Sequence, residues 1–478
     1  MTALFLTALL CALAFTPVVR ALARRKGIVA KPKTDRWHTR PTAMLGGIAI
    51  FAAVIIPLLV ILPPTRQSRI VMAASAAMFL VGLADDFLHI KPYQKLIGQL
   101  LAAAAVVYSG LMLPWTASFT LNVLITLFWL VGITNAVNML DNMDGLAAGV
   151  SAIAAAFLGW NFLANQQVPE ALMLAGFAGA LAGFLVYNRH PASIFMGDCG
   201  SLFVGFFLAC SALLNGTAGG RSRSVVAVLA VPVLVLLVPI FDTTLVTLVR
   251  KVAGRSVSQG GRDHASHRLV ALGLSEKYAV WMLYTFAIAA GLLAMLVRHA
   301  ALDISLSAIA AFTVVLTLLG IYLARVRVYD ESEKSPAFTV LVNFSYKRRL
   351  FEVVLDVVLI ALSFYCANAL LFRPPSGSGD WNGFLRAMPM VLALKLAALL
   401  LSGVYRGPWR YARLSDVPGY ATGVLFGATV AGLLLHIGLP VLVLDAVLLL
   451  LAITASRFAF RLLRKLLPLP HEKVMSEE

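Results

Sequence analysis

The chain has 478 residues, of which 60% are hydrophobic and 13% charged, and its mean hydropathy is +0.88. This composition is typical of membrane proteins and excludes an ordinary soluble globular protein. The net charge of +17 would suit a nucleic-acid-binding protein. The basic residues are distributed as in a membrane protein, however, so we expect no nucleic-acid partner.

Fifteen apolar runs, which begin near residues 3, 44, 69, 94, 119, 147, 171, 200, 225, 279, 302, 351, 384, 418 and 440, predict transmembrane helices. The predicted fold class is therefore all-α: a polytopic membrane protein with about eleven helices up to residue 325 and about four after residue 350. No basic segment precedes the first run, which indicates a retained helix rather than a signal peptide.

The basic residues predict the orientation in the membrane. Of the 39 Lys and Arg residues, 31 fall in alternate connecting segments on one side of the predicted helices. Cytoplasmic loops carry such an excess. We therefore expect this side to be cytoplasmic, the N-terminus outside and the C-terminus inside.

Four polar clusters interrupt the apolar pattern, and all fall on the predicted cytoplasmic side. They are the segments GLADDFLHIKPYQK (82–95), NAVNMLDNMDG (135–145), YNRHPASIFMGDCGS (187–201) and GRSVSQGGRDHASHRL (254–269). Ionisable residues at membrane depth are costly and are usually functional. The clusters therefore predict a polar site at the cytoplasmic mouth of the helix bundle.

Carboxylates define two of these clusters. The adjacent Asp85 and Asp86 resist ionising together, so one could act as a base while the other faces a metal or a lysine. Asp198 lies between Gly197 and Gly200 at the start of an apolar run. There, free N–H groups would face a phosphate and the carboxylate would hold Mg²⁺. The alternatives are an exposed pair of loop acids and a helix-capping aspartate.

Amides and histidines characterise the other two clusters. A spacing of three residues predicts a polar band on one side of a helix, formed by Asn135, Asn138, Asp141 and Asp144. Gly145 should end that helix in a left-handed conformation. His264 and His267 lie in an arginine-rich loop, which suits a phosphate better than a metal. The alternatives are a polar helix end and a solvated basic loop.

One further acid, Asp242, lies within the ninth apolar run. A charge at this depth is expected to face the interior of the bundle rather than the lipid.

The motifs ADDF, NAVNMLDNMDGL, FMGDCGSL and RDHASHRL, preceded by DRWHTRPTAMLGG, resemble those of the polyprenyl-phosphate N-acetylhexosamine-1-phosphate transferases, the superfamily of MraY and WecA. The resemblance covers residues 1–325, and its histidine loop is similar to the WecA branch. It implies Mg²⁺-dependent transfer, with Mn²⁺ as an alternative, of a sugar phosphate from a UDP-N-acetylhexosamine. The expected donor is UDP-N-acetylglucosamine, the acceptor is undecaprenyl or another polyprenyl phosphate, and UMP is released. Such a reaction initiates cell-envelope polysaccharide synthesis at the bacterial inner membrane.

The resemblance also implies roles for individual residues. Asp198 and Asn138 match metal-binding positions, and Asp85 and Asp86 match the acidic pair credited with activating the lipid phosphate. Whether one of this pair is a base or forms a covalent intermediate stays open.

Further roles concern the donor. Four positions match the family's nucleotide contacts, with an aromatic ring placed to stack on uracil: Asn188, Asp141, Asp144 and the aromatic Phe195. His264 and His267 match the diphosphate-contacting loop, to which Arg262 and Arg268 also belong. Asn142 departs from the family, many members of which have glycine at this position.

Residues 326–350 are polar and predict a cytoplasmic linker between a transferase domain (1–325) and a C-terminal membrane module (351–478). The segment GVYRGPWRYARLSDV, within residues 346–478, resembles the membrane portion of CapD-like polysaccharide-synthesis proteins. Their Rossmann domain should follow, but we find no strand followed by G-x-G-x-x-G, so we assign the module no catalysis. Its aromatic and basic residues could dock polysaccharide-synthesis proteins or lipid, or simply anchor the chain at the interface: Arg406, Trp409, Arg410 and Tyr411. A homodimer is also compatible with the resemblance.

The main alternative from another class is a membrane transporter of an anionic solute, because acids and broken helices also mark transport sites. Such a protein would place them near the bilayer midplane in both halves of a repeat. Here they gather on one side, which favours the enzyme. A non-catalytic scaffold is the third possibility.

Overall fold

The computed structural model describes residues 1–30, 41–63, 65–113, 116–217, 225–252, 255, 261, 263–299, 302–326, 345–371, 381–404 and 414–466. Within them, the helices are α1 (Thr2–Arg25), α2 (Gly46–Ile61), α3 (Arg66–Leu88), α4 (Pro92–Tyr108), α5 (Phe119–Leu140), α6 (Leu146–Ala164), α7 (Val168–Asn188), α8 (Gly197–Thr217), α9 (Val225–Val235), α10 (Leu237–Val252), α11 (Ala265–Ala271), α12 (Glu276–His299), α13 (Leu302–Ala324), α14 (Ser345–Leu371), α15 (Trp381–Leu401), α16 (Val417–Leu435) and α17 (Leu439–Leu466). A short antiparallel pair, β1 (Val29–Ala30) and β2 (Thr42–Ala43), follows α1.

The helices have the length and composition of a membrane protein. Within the described residues, nine are long and apolar enough to cross a bilayer, and four shorter apolar helical segments accompany them. Because lipid offers no partner for backbone N–H and C=O groups, helices satisfy those groups internally. The prediction of an all-α polytopic membrane protein is confirmed, whereas the predicted number of spans stays a prediction.

The described residues form two compact units, the first containing α1 to α12 and the second α13 to α17. The sequence-based boundary after residue 325 differs from this division, because α13 packs against α14 in the second unit. Leu318 of α13 belongs to the same buried apolar cluster as Leu355 and Leu359 of α14. The predicted functional boundaries therefore stay a prediction.

The first unit is built around α8. Of the most apolar stretch of this helix, 89% is buried, and α2, α3 and α5 all pack against it. Phe203, Phe206 and Phe207 are fully buried. The ring of Phe207 stacks on Phe177 of α7, with 4.2 Å between centroids. A helix that is apolar on all sides belongs at the centre of a bundle, and this one brings Asp198 there with it.

The ninth predicted run is broken into two helices, α9 and α10, with Leu236 between them. Pro232 and Pro239 lie on either side of the break. Proline has no N–H to donate to the preceding turn and its ring crowds the backbone, so a continuous helix is disfavoured here. The break starts α10 a turn before Asp242, which is fully buried as the sequence predicted.

The second unit carries paired charges inside its helices. Asp445 of α17 accepts hydrogen bonds from Lys395 of α15 and Ser363 of α14. Asp356 of α14 pairs with Arg457 of α17 at 2.9 Å. Charges in an apolar bundle are stable only when paired, so these contacts hold α14, α15 and α17 together. Arg406, Trp409, Arg410 and Tyr411 lie outside the described residues.

Candidate active site

Carboxylates from the end of α3 and the start of α8 meet a lysine in the first turn of α4. The Nζ atom of Lys95 lies 3.0 Å from Asp85 Oδ2 and 3.1 Å from Asp198 Oδ2. It also lies 3.4 Å from Oδ1 of Asn138, near the end of α5. Three of the predicted polar clusters therefore converge on one ammonium group, which we call the acidic–lysine cluster (Asp85, Lys95, Asn138 and Asp198).

The polar band predicted on α5 is also the contact surface of that helix. Asn138 donates from Nδ2 to Asp198 Oδ1 at 2.5 Å and to Ser201 Oγ at 2.7 Å, both on α8. One turn earlier, the amides of Asn135 and Gln99 exchange two hydrogen bonds between α5 and α4, at 2.8 and 3.0 Å. The spacing of three places these amides on one side of α5, toward α4 and α8.

Asp86 has a different role from its neighbour. Its Oδ1 and Oδ2 atoms accept hydrogen bonds from the backbone N–H groups of Asp198 and Cys199, both at 2.9 Å. The carboxylate thus caps α8 from another helix and complements the positive end of its dipole. This corrects the expectation that the start of α8 presents free N–H groups to a phosphate, because Asp86 accepts those of Asp198 and Cys199, the second and third residues of the helix.

Glycines at the start of α8 serve close helix packing rather than ligand approach. Gly197 has φ +74°, the left-handed region that favours glycine, where α8 begins beside Asp86. The backbone of Gly200 touches Gly47 of α2, and Gly82 of α3 touches the backbone of Asp198. A Cβ atom at Gly47 or Gly82 would overlap α8 backbone atoms. The three helices therefore hold Asp198 in a fixed position.

The predicted nucleotide residues lie around the loop between α7 and α8. Asn188 is buried and donates from Nδ2 to the carbonyl of Ile194 at 3.0 Å. Phe195 bonds through its backbone to Ala43 and Gly46, which joins this loop to the β2–α2 segment. Asp144 accepts from the N–H of Ala192 at 2.9 Å and lies 3.1 Å from His190 Nδ1.

The loop after α5 begins earlier than predicted. α5 ends at Leu140, so Asp141 and Asp144 lie beyond the helix rather than on its polar band. Gly145 takes the predicted left-handed conformation with φ +76°, but it precedes α6 instead of ending α5. The carbonyl of Gly145 accepts a hydrogen bond from Tyr284 Oη of α12 at 2.6 Å. The structure thus places the loop after α5 beside the loop between α7 and α8, and the nucleotide contacts themselves stay predictions.

The predicted histidine loop is held by α10. His264 Nδ1 lies 2.7 Å from Asp242 Oδ2, and the Ala265 N–H donates to Asp242 Oδ1 at 2.6 Å. Arg250 donates to both oxygens of Asp263 at 2.7 Å. Two buried carboxylates, Asp242 and Asp263, therefore attach the start of α11 to α10.

Other predicted members of this loop are mostly buried. The rings of His264 and His267 lie edge to face, with 6.0 Å between centroids. Arg268 is only 1% exposed and donates from Nε to the carbonyl of Asp263 at 2.7 Å. In this structure Arg268 stabilises the loop itself, and its predicted substrate contact is untested. Arg262 lies outside the described residues.

Asn142 joins the histidine loop to the loop after α5. Its Oδ1 atom accepts a hydrogen bond from Ser266 Oγ at 2.7 Å. The residue that departs from the glycine of many family members therefore makes a tether between two predicted clusters. Together with the acidic–lysine cluster, this contact brings all four clusters to one end of the first unit.

The sequence patterns do not identify Lys95 and Ser266 as contact residues of the site. Lysine near a membrane boundary is common, so only the fold distinguishes Lys95 from an interfacial anchor. The one sequence feature that points to Lys95 is its position in the first turn of the helix that follows Asp85 and Asp86.

The fold and the site define a class: a polytopic helical membrane protein with a lysine surrounded by carboxylate and amide oxygens and a buried histidine loop at one end of its bundle. The sequence model of glycosyl transferase family 4 matches residues 68–216. A probable undecaprenyl-phosphate N-acetylglucosaminyl 1-phosphate transferase from Bacillus subtilis is 34% identical over 314 residues, which cover 63% of this chain and 86% of that protein. The chain belongs to glycosyl transferase family 4, the family of the WecA- and MraY-like transferases.

Other relatives agree with this assignment. The decaprenyl-phosphate N-acetylglucosaminephosphotransferase of Mycobacterium tuberculosis is 33% identical over 317 residues, 58% of this chain and 78% of that protein. A phospho-N-acetylmuramoyl-pentapeptide-transferase of Thermoanaerobacter is 33% identical over 220 residues, 42% of this chain and 70% of that protein. The resemblance inferred from the motifs is confirmed for the family. The CapD-like resemblance of residues 346–478 stays a prediction.

Proposed function

We propose that the protein transfers N-acetylglucosamine-1-phosphate from UDP-N-acetylglucosamine to a polyprenyl phosphate and releases UMP. The proposal rests on one observation above the others. The aspartates and the asparagine that match the family's catalytic motifs converge on Lys95, although they come from three separate segments of the chain. The names of the relatives from Bacillus and Mycobacterium describe the same reaction type.

The acidic–lysine cluster fits a divalent cation such as Mg²⁺, with Mn²⁺ as the alternative. Its oxygens already converge on a positive charge, the ammonium of Lys95, and carboxylate and amide oxygens are the donors that hard cations prefer. Within the described residues, no group of three or more His, Cys, Asp or Glu side chains forms a full metal cage. A small donor set suits an ion that shares its coordination with substrate phosphates, so Asp198 and Asn138, with Asp85 nearby, would hold it.

The transfer requires positioning and charge neutralisation more than covalent chemistry. An oxygen of the lipid phosphate forms a bond to the sugar-bearing phosphorus of the donor, and the bond from that phosphorus to the bridging oxygen breaks to release UMP. A phosphate oxygen is already nucleophilic, so the residues need to align it. When bound, Mg²⁺ would neutralise charge on the donor diphosphate and its leaving group.

Asp85 and Lys95 have separate tasks in this proposal. Asp85 would accept the proton of a lipid phosphate monoanion, which makes the attacking oxygen fully ionised. Lys95 lies next to it and would attract the incoming phosphate. Asp86, whose oxygens both bind the backbone of α8, would hold Asp198 in place rather than take part in proton transfer.

The loops around the cluster would bind the donor. Asn188 and Phe195 lie at the end of α7 and in the segment that follows it, and Asp144 contacts that segment. Together with Asp141 they would bind the nucleotide. The histidine loop would contact the diphosphate, since His264 and His267 lie next to the tethered loop after α5. The site would face the cytoplasm of a bacterial inner membrane, because the basic connecting segments lie on that side.

The proposal also includes two associations with other proteins, and neither rests on a contact among the described residues. The C-terminal module would associate with other polysaccharide-synthesis proteins, and the enzyme would work as a homodimer. The position of the polar groups favours the enzyme over the transporter alternative, because they lie at one end of the first unit rather than at mid-depth of a repeat.

The test uses the full-length protein purified in detergent, with polyprenyl phosphate, Mg²⁺ and a panel of UDP-sugars. We expect a lipid-linked N-acetylglucosamine diphosphate, identified by mass spectrometry, and an equal amount of UMP. The Asp198→Asn variant should form neither, whereas Glu170→Gln, which removes an acid at the other end of α7, should match the wild type. A folded wild type that forms no lipid product, but moves UDP-sugar into proteoliposomes, would establish the transporter instead.

A further inference from the structure

Asp242 lies in the interior of the first unit with a single titratable partner. Its side chain is 1% exposed, and its two oxygens bind His264 Nδ1 at 2.7 Å and the Ala265 N–H at 2.6 Å. No Lys or Arg contacts Asp242 within the described residues. A buried carboxylate is stable only when its charge is compensated, which makes the imidazole ring its natural partner.

The contact determines how the ring of His264 is used. A carboxylate at Nδ1 accepts an N–H, so the proton on Nδ1 and the plane of the ring are both set by Asp242. Nε2 is then the only ring nitrogen left for a ligand, and it makes no hydrogen bond within the described part of the chain. With an anion at Nε2, both ring nitrogens can donate, one to each negative group.

The surroundings of the pair keep it rigid. Arg250 and Asp263 form a second buried contact between α10 and the histidine loop, with side-chain exposures of 5% and 0%. Ser266 attaches the same loop to Asn142 at 2.7 Å. A ring bound at Nδ1, in a loop that is attached at the residues on either side of it, loses little further freedom when a ligand binds, which is what a preorganised donor requires.

We propose that Asp242 is a positioning residue of the transferase reaction, which acts through His264 by directing Nε2–H toward a phosphate oxygen of the donor diphosphate. The inference rests on the proposed function. Charge on the departing UMP phosphate grows as the bond to phosphorus breaks, so a fixed donor stabilises the transition state more than the bound substrate. Loss of the pair should therefore lower kcat more than it raises KM for UDP-N-acetylglucosamine.

Two substitutions of His264 separate its nitrogens. In His264→Asn the amide N–H₂ can still donate to Asp242 in place of Nδ1, but nothing replaces Nε2. In His264→Gln the longer amide reaches the Nε2 position and gives up the bond to Asp242. We expect the Asn variant to keep the wild-type melting temperature while kcat falls about 100-fold, and the Gln variant to keep more activity but melt lower.

Asp242→Asn completes a double-mutant cycle with His264→Asn. In the wild-type background we expect kcat to fall at least about tenfold, and in the His264→Asn background to change less than about twofold. The control is Thr243→Val, one residue away, whose buried hydroxyl makes no hydrogen bond within the described residues and whose shape valine keeps. This variant should match the wild type in both kcat and melting temperature.

The outcomes are distinct. Equal losses from Asp242→Asn in both backgrounds would make Asp242 purely structural and overturn the proposal, as would full activity in the Asn variant of His264. If Asp242→Asn does not fold, the kcat and melting temperature of His264→Asn alone test the proposal. Failure of His264→Asn to fold would also overturn it. A folded wild type without transferase activity would instead refute the proposed function. In that case there is no wild-type kcat with which the variants can be compared, so this failure is distinguishable from failure of the positioning role.

Discussion

Replacing Lys95 by methionine tests whether the acidic–lysine cluster is a cation site. Methionine keeps the length of the apolar stem and removes only the charge that lies 3.0 Å from Asp85 and 3.1 Å from Asp198. At an effective dielectric constant of about 20, each pair at this distance is worth about 5 kcal/mol of Coulomb energy. The Lys95, Asp85 and Asp198 side chains are 16%, 13% and 35% exposed, so water screens part of this attraction. Including the desolvation of the ammonium, we expect a net loss of about 1–3 kcal/mol of unfolding free energy.

The assay is thermal unfolding of the detergent-solubilised protein, followed by tryptophan fluorescence, in EDTA and in Mg²⁺. In EDTA the Lys95→Met variant should melt a few degrees below the wild type, because Asp85 and Asp198 then repel each other without compensation. Mg²⁺ should stabilise the variant more than the wild type and so narrow this gap, because in the variant the ion binds Asp85 and Asp198 without repulsion from the Lys95 ammonium. An ion at 100 times its dissociation constant stabilises the folded state by about 2.7 kcal/mol. The exposed Lys91, substituted by methionine, is the matched control and should show neither effect.

Two results would refute this reasoning. Equal melting temperatures of wild type and Lys95→Met in EDTA would mean that the ion pairs contribute no net stability. A melting temperature of Lys95→Met that does not rise with Mg²⁺ would mean that Asp85, Asn138 and Asp198 do not form a cation site.

Four further predictions concern the acids and the chain boundary. Asp198→Asn should abolish metal-dependent turnover with little change in melting temperature, and normal turnover by the folded variant would remove Asp198 from the metal site. Asp85→Asn should lower kcat far more than UDP-sugar affinity, measured by calorimetry, and a loss confined to affinity would move Asp85 to the nucleotide site. Asp86→Asn should instead lower stability by about 1–3 kcal/mol, because one amide oxygen cannot accept both N–H groups of α8, and an unchanged melting temperature would contradict the cap. Truncation near Glu333 should leave a membrane-inserted protein with substantial transferase activity, since every predicted site residue precedes residue 270. A truncated protein that folds and binds UDP-sugar but is inactive would show that the removed helices complete the acceptor site.

Much of the site was predictable because membrane sequences restrict where polar residues can occur. In an apolar chain, Asp85, Asn138 and Asp198 are conspicuous, and the alternation of connecting segments places them at one end of the bundle. The spacing of three predicted one polar side, and its first two members, Asn135 and Asn138, lie on the side of α5 that faces α4 and α8. The left-handed Gly145 and the burial of Asp242 were predictable from local rules of the same kind.

Other features depend on which helices become neighbours. Asp85 and Asp86 are adjacent in sequence and equally acidic, yet one meets Lys95 and the other caps α8. Successive helical residues point about 100° apart, so their roles depend on what lies on either side of α3, which no local pattern specifies.

The sequence by itself therefore determined the fold class, the end of the bundle that carries chemistry and the residue types available there. The length of an apolar run and the spacing of its polar residues are local properties, and the thickness and low polarity of the bilayer act on them directly. Only the tertiary structure decided that Lys95 joins the acids, that Asp242 holds His264 and that Asn142 is tethered to Ser266. These contacts join residues 10 to 124 positions apart, and such pairings follow from helix packing across the whole bundle rather than from any single segment.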